Sequence, residues 1–129
     1  MKWQDFELEV KKICEEHEFS TIFHHFFKDE IGGAEIDVVA ERGNILLCLD
    51  AKLYSGHRYR VSQLKKEAEK HAERCKRFSK VIGKKAVPVI ISFIDDAIYF
   101  HGDCIIVPFA SLNHFLAEIY YYLAEFGYL

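Results

Sequence analysis

Apolar residues recur at three- and four-residue spacing near the start of the chain. Trp3, Phe6, Val10, Ile13, Cys14 and His17 form one stripe, which predicts a helix over residues 3–17. One acid, Glu7, sits inside that stripe, a turn from both Trp3 and Val10. Asp5, Glu9, Glu15 and Glu16 lie mostly off it. Residues 19–28, rich in Phe, Thr and Ile, predict a strand. Asp29-Glu30-Ile31-Gly32-Gly33 supplies a turn, its paired glycines permitting positive φ. Residues 35–41 read as a second strand, with Glu35, Asp37 and Val39 facing one way and Ile36, Val38 and Ala40 the other. Arg42-Gly43-Asn44 makes a tight hairpin connection. The unbroken apolar run Ile45-Leu46-Leu47-Cys48-Leu49 then predicts a central strand covered on both faces, ending abruptly in Asp50-Ala51-Lys52.

Residues 53–59 form a polar loop, followed by a long helix over 61–82. Its apolar side carries Val61, Leu64, Ala68, Cys75, Phe78 and Ile82, and Gly83 is placed to cap its end. Residues 87–94 predict another covered strand, Asp95-Asp96 a turn, residues 97–101 a strand, and residues 104–107 a short strand ended by Pro108. A final helix over 110–126 carries Leu112, Phe115, Leu116, Ile119, Leu123 and Phe126 inward. There are no internal repeats, low-complexity tracts or linkers, so residues 1–129 are expected to form a single domain. The order α-β-β-β-α-β-β-β-α predicts an α/β protein with a mixed central sheet flanked by helices.

Composition adds three constraints. Apolar residues make up 50% of the chain and aromatics 15%, which excludes disorder. No apolar run approaches the roughly 20 residues of a membrane span. The opening segment also lacks the apolar stretch of a signal peptide, so a cytoplasmic protein with no membrane partner is expected. Cys14, Cys48, Cys75 and Cys104 form no CxxC pair, which leaves zinc-knuckle and thioredoxin-type sites without support. Each falls on an apolar face as a buried, reduced thiol. The net charge of −3 hides an asymmetry. Residues 52–85 hold twelve Lys or Arg against three acids, a local +9, and the remainder carries −12. That local charge points to nucleic acid, and its bland counterpart is a solvated helix face.

Asp37 and Asp50 carry the candidate chemistry. Each is an acid in or ending an apolar strand, and a short hairpin joins the two strands. Period two puts Cys48, Asp50 and Lys52 on one face. Two buried carboxylates repel and drive one another toward protonation, a conflict that a divalent cation removes. Hard carboxylate oxygens suit Mg²⁺ or Mn²⁺. Glu7 fits the same cluster, with an ion pair to Lys11 or to the helix dipole as its alternative. Lys52 is placed to orient a nucleophile and stabilise charge on phosphorus-bound oxygens. Its alternative is a simple ion pair with Asp50. His24 and His25 cannot both point inward from a strand, and neither takes a site role.

The stretches Gly33-Ala34-Glu35-Ile36-Asp37-Val38-Val39 and Leu47-Cys48-Leu49-Asp50-Ala51-Lys52 resemble the PD-(D/E)xK nuclease superfamily, with its restriction-endonuclease-like fold. Within it, the chain is most similar to the Mrr-like and archaeal Holliday-junction-resolvase-like branch. Asp5-Phe6-Glu7 matches the acidic helix before that core, and the resemblance covers residues 3–110. It implies Asp37 and Asp50 as metal ligands, Lys52 as the catalytic lysine and Glu7 as a further ligand, joined by the Ala51 carbonyl. Gln63 falls where several branches place a glutamine, and its alternative is a solvent-exposed helical residue. Ile36 stands where the nominal signature has proline, and Glu35 rivals Asp37.

The expected activity is hydrolysis of a DNA phosphodiester by a magnesium-dependent endonuclease. Arg58, Arg60, Gln63, Lys65 and Lys66 would hold duplex or branched DNA. The alternatives are a catalytically silent nucleic-acid-binding or assembly module and a protein whose carboxylates are merely structural. Tyr120, Tyr121 and Tyr122 point three ways from the last helix. Core packing explains one or two of them, and a homodimer contact accounts for the rest.

Overall fold

The computed structural model describes residues 2–53 and 59–129. Helix α1 spans Trp3–Glu16 and buries Phe6, Val10 and Cys14. The stripe holds from Phe6 onward, but Trp3, expected inside it, is exposed. Strands β1 (Ser20–Lys28), β2 (Gly33–Arg42) and β3 (Ile45–Lys52) form an antiparallel meander. Helix α2, Arg60–Ile82, ends at Gly83, whose left-handed φ of 68° lets its N–H reach the Ser79 carbonyl at 2.9 Å. Strand β4 (Val87–Ser92) runs parallel to β3, β6 (Cys104–Pro108) runs parallel to β4, and β5 (Phe100–His101) pairs antiparallel with β6. The sheet order is β1-β2-β3-β4-β6-β5.

Two layers cover this sheet. On one face, α1 residues Phe6, Val10 and Cys14 pack with Leu47, Leu49, Val89 and Ile91 and with Leu112, Leu116 and Leu123 of the last helices. On the other, α2 packs Cys75 and Phe78 against Ile36, Val39, Leu46 and Cys48, and Leu64 and Ala68 against Ile90 and Ile106. Strand β3 is buried from Ile45 to Asp50, as its unbroken apolar run demands. All four cysteines are buried and free. Among the described residues, no helix is long and apolar enough to cross a membrane.

Four expectations need correction. The alternation read for β2 fails at Asp37: Ile36 and Val39 share the α2-side core, whereas Val38 and Ala40 belong to the α1 side. In β1, across from it, Phe23 packs on the α1 side and Phe27 on the α2 side, and His24 between them has a left-handed φ of 50°. Both strands therefore change faces at the same level, and Asp37 is where β2 turns. Second, the strand expected over 97–101 shrinks to Phe100–His101. The Asp95 carboxylate captures the Ala97 N–H at 2.8 Å and Ala97 takes a left-handed φ of 57°, a turn that delays the extended run. Third, the last helix is broken into a 3₁₀ turn (Phe109–Ser111), α3 (Leu112–Ala117) and α4 (Ile119–Glu125). Neither proline nor glycine marks the break at Glu118. Fourth, Val61 and Ile82 are exposed ends of α2, and the inward position between Ala68 and Cys75 belongs to His71, fully buried.

Candidate active site

Asp50 occupies the carboxyl end of β3, beside Ile90 of the parallel strand β4. Only 3% of it is exposed. The β2–β3 register pairs Val38 with Leu49, so Asp37 stands across from Asp50 one step further along. Asp37 interacts electrostatically with both Asp50 and the Glu7 carboxyl from α1, so the three acids crowd one place. The face change at Asp37 brings this about, because it aims a β2 side chain between the α1 layer that supplies Glu7 and the strand end that supplies Asp50.

The electrostatics follow from that crowding. Burial pushes Asp37 up to about 8, helped by the interaction with Asp50 and the charge of Glu7. Burial also pushes Asp50 upward. The interaction with Asp37 and the Lys52 ammonium outweigh it, holding Asp50 below the usual carboxylate range. The pair therefore retains a proton into the neutral range. Glu7, only 4% exposed, is raised by burial despite the stabilising His24 imidazole. Lys52 Nζ lies 3.1 Å from Asp50 Oδ2 and 3.5 Å from Glu67 Oε2. The first contact lacks hydrogen-bond alignment. Among the described residues, Asp50 Oδ2 is the buried side-chain oxygen left without a hydrogen bond.

That oxygen, which meets an ammonium but no hydrogen bond and belongs to one of two crowded carboxyls, fits a hard divalent cation. Among the described residues, no three His, Cys, Asp or Glu side chains are grouped so as to hold a metal ion as they stand. Burial and mutual repulsion hold a proton among these acids, and a cation would take its place.

Two histidines support this cluster. His24 places Nε2 3.2 Å from Glu7 Oε1 and Nδ1 3.4 Å from Glu35 Oε1, bridging both acids at the kink in β1. Sequence reasoning gave it no role, and its left-handed backbone has no sequence signal. Glu35, the rival to Asp37, is exposed and tied to His24 rather than to Asp50. His71 donates from Nε2 to the Cys48 carbonyl at 2.8 Å, two residues before Asp50, and its Nδ1 lies 3.5 Å from Arg74 Nη1. Burial lowers its pKa, so it is a neutral donor. The signal for His71 was present: Leu64, Ala68, His71, Cys75 and Phe78 are spaced as one inward stripe.

The predicted phosphate contacts divide. Arg60 is engaged by Asp96, with Nε 3.0 Å from both carboxylate oxygens, which argues against a role on DNA. Arg58 lies outside the described residues. Gln63 and Lys70 are spaced to share a flank of α2 with Glu67, which meets Lys52, and Lys66 lies next to that flank. Lys65 lies a turn before Glu69, which binds His101 at 2.7 Å on the other flank, so it faces away from Lys52.

No family model matches this chain. A protein of Archaeoglobus fulgidus, described as uncharacterized, is 64% identical over 129 residues, covering all of both chains. The chain belongs to that protein's family. Among solved structures, the small subunit of the heterodimeric restriction endonuclease R.BspD6I superposes with a TM-score of 0.55 at 13% identity, over 88% of this chain and 67% of that one. The chain therefore has a restriction-endonuclease-like fold: a mixed six-stranded sheet flanked by helices. The likeness supports that fold and does not extend to the Mrr-like or resolvase-like branch.

Proposed function

We propose that this protein is a magnesium-dependent endonuclease acting on DNA. The observation that carries the reading is the convergence of Asp37, Asp50 and Glu7 beside Lys52 at one strand end. Asp50 and Asp37 would hold the cation, with Glu7 and the Ala51 carbonyl completing its oxygen set. A bound Mg²⁺ or Mn²⁺ supplies Lewis acidity toward the scissile phosphate and the attacking water. Asp37 would release its proton to solvent when the site is loaded. Lys52, fixed between Asp50 and Glu67, orients the water and offsets charge growing on the phosphoryl oxygens. Lys66 and Lys70, with Gln63, hold flanking phosphates.

The R.BspD6I protein is one subunit of a heterodimeric enzyme, which supports a partner-dependent form of the same reading. Tyr120 and Tyr121 are exposed on α4 and are the candidate surface for a homodimer.

The deciding experiment incubates wild type, Asp50→Ala and Lys52→Ala with duplex and branched DNA in Mg²⁺. Cleavage by wild type alone supports the reading. Equal cleavage by all three means a contaminant or the wrong site. No cleavage by wild type combined with binding of Mn²⁺ moves the reading to its partner-dependent form.

A further inference from the structure

We infer that Trp3 is a stacking platform for an unpaired base beside the phosphodiester bond to be cut. The DNA taken by this site would then have unstacked bases at the cut, as at a gap, a flap or a junction. The inference rests on the nuclease reading for the position of the strand.

Trp3 is the chain's single tryptophan. Helical spacing puts it on the buried stripe of α1, where Phe6 and Val10 are wholly enclosed, yet it remains 50% exposed. Its placement is specific. It lies one turn before Glu7, and its ring meets the His24 imidazole at 80° with centroids 6.4 Å apart. The same imidazole contacts Glu7 at 3.2 Å. The exposed indole is thus one side chain removed from the proposed cation ligands. In contact with Phe6, Phe93 is 43% exposed. Its ring meets Phe6 edge-on at 5.6 Å, and its N–H donates to the Lys52 carbonyl at 3.0 Å. Aromatic surface therefore borders the carboxylate cluster both where Glu7 enters and where Lys52 leaves.

The chemistry of stacking decides which partner this suits. Every nucleobase presents a π-face, so an exposed indole takes any base, but only one that has left its own stack. Paired duplex keeps its bases inside and offers the platform little beyond an end. The α2 flank with Lys66 and Lys70 supplies the phosphate contacts that such binding also needs.

The sole tryptophan gives a direct readout. Indole emission is followed while wild type is titrated with a single-stranded oligonucleotide, a gapped duplex and an intact duplex of equal length, in Ca²⁺ or EDTA. Quenching by the first two, and much less by the intact duplex, is expected. By anisotropy of a labelled strand, Trp3→Ala should bind single-stranded DNA about 5- to 150-fold more weakly. Its duplex affinity should be unchanged, and Trp3→Phe should retain most of the binding. Equal quenching by intact duplex, no quenching at all, or unchanged single-strand affinity in Trp3→Ala overturns the platform. The two readings fail separately. Quenching with neither cleavage nor Mn²⁺ binding leaves the platform and removes the nuclease, whereas cleavage of intact duplex without quenching does the reverse.

Discussion

Replacing Asp37 by Asn should stabilise the metal-free protein at alkaline pH and remove most of what Mg²⁺ gives it. In the native chain, burial and the neighbouring carboxyls move Asp37 from its ordinary 3.8 to about 8. Between those values the folded chain binds a proton that the unfolded chain has released, so stability falls as pH rises. It is intact below the unfolded value and lost progressively toward about 8. The interval corresponds to an upper bound of roughly 5–6 kcal/mol. Water and counter-ions at the strand end reduce the measurable loss to about 2–3 kcal/mol. An amide at position 37 has the shape of the protonated acid and has no charge to acquire. Urea denaturation of both proteins in EDTA, from about pH 5 to about pH 8, gives the test, because their difference isolates this one group. The variant should gain on wild type as pH rises. Mg²⁺ at a hundredfold excess over its Kd should restore about 2.7 kcal/mol to wild type and little to the variant. A variant that loses stability relative to wild type toward alkaline pH, or a constant difference, would refute the reasoning, since the acids would then share no proton.

Other consequences are equally direct. His24→Ala frees Glu7 from its imidazole partner and should weaken Mn²⁺ binding about 10-fold or more by calorimetry, the usual effect of losing a group that orients a ligand. Unchanged affinity would remove Glu7 from the ligand set. His71→Leu leaves the buried Cys48 carbonyl without its donor and should cost about 1–3 kcal/mol of stability by denaturant titration. No loss would mean that water replaces the imidazole. Lys66→Ala and Lys70→Ala should each reduce the slope of log affinity for duplex DNA against log salt by about 1, with Lys65→Ala a smaller change. Equal slopes for all three would mean that DNA does not track the Lys52 flank.

Much of the fold was legible because local pattern and tertiary environment agree. The apolar run Ile45–Leu49 is buried on both faces, the hairpin at Gly43 joins β2 to β3, and Gly83 caps α2 where its position demanded. Asp50 and Lys52 were legible for the same reason, as charge that closes an otherwise apolar strand. The rest depends on long-range packing. A two-residue period cannot show that β1 and β2 change faces together at His24 and Asp37, and this twist is what carries Asp37 toward Glu7. The stripe from Leu112 to Phe126 is continuous in sequence, and a continuous stripe does not reveal the break at Glu118. Trp3 satisfied the helical period and still ended outside, because the stripe runs past the edge of the core. Arg60 looked like one more cation in a basic segment, and its partner Asp96 is remote in sequence. His71 was hidden differently: its spacing continues the inward stripe, but a search for apolar residues alone passes over an imidazole.

Anomalous scattering from a crystal soaked in Mn²⁺ tests the central claim most directly. The account predicts one strong peak bound by Asp37 and Asp50, with Glu7 and the Ala51 carbonyl adjoining and oxygen distances of about 2.1 Å. Asp50 Oδ2 should be among the ligands. No peak there, or a peak held only by surface acids such as Glu69 and Glu73, would contradict it.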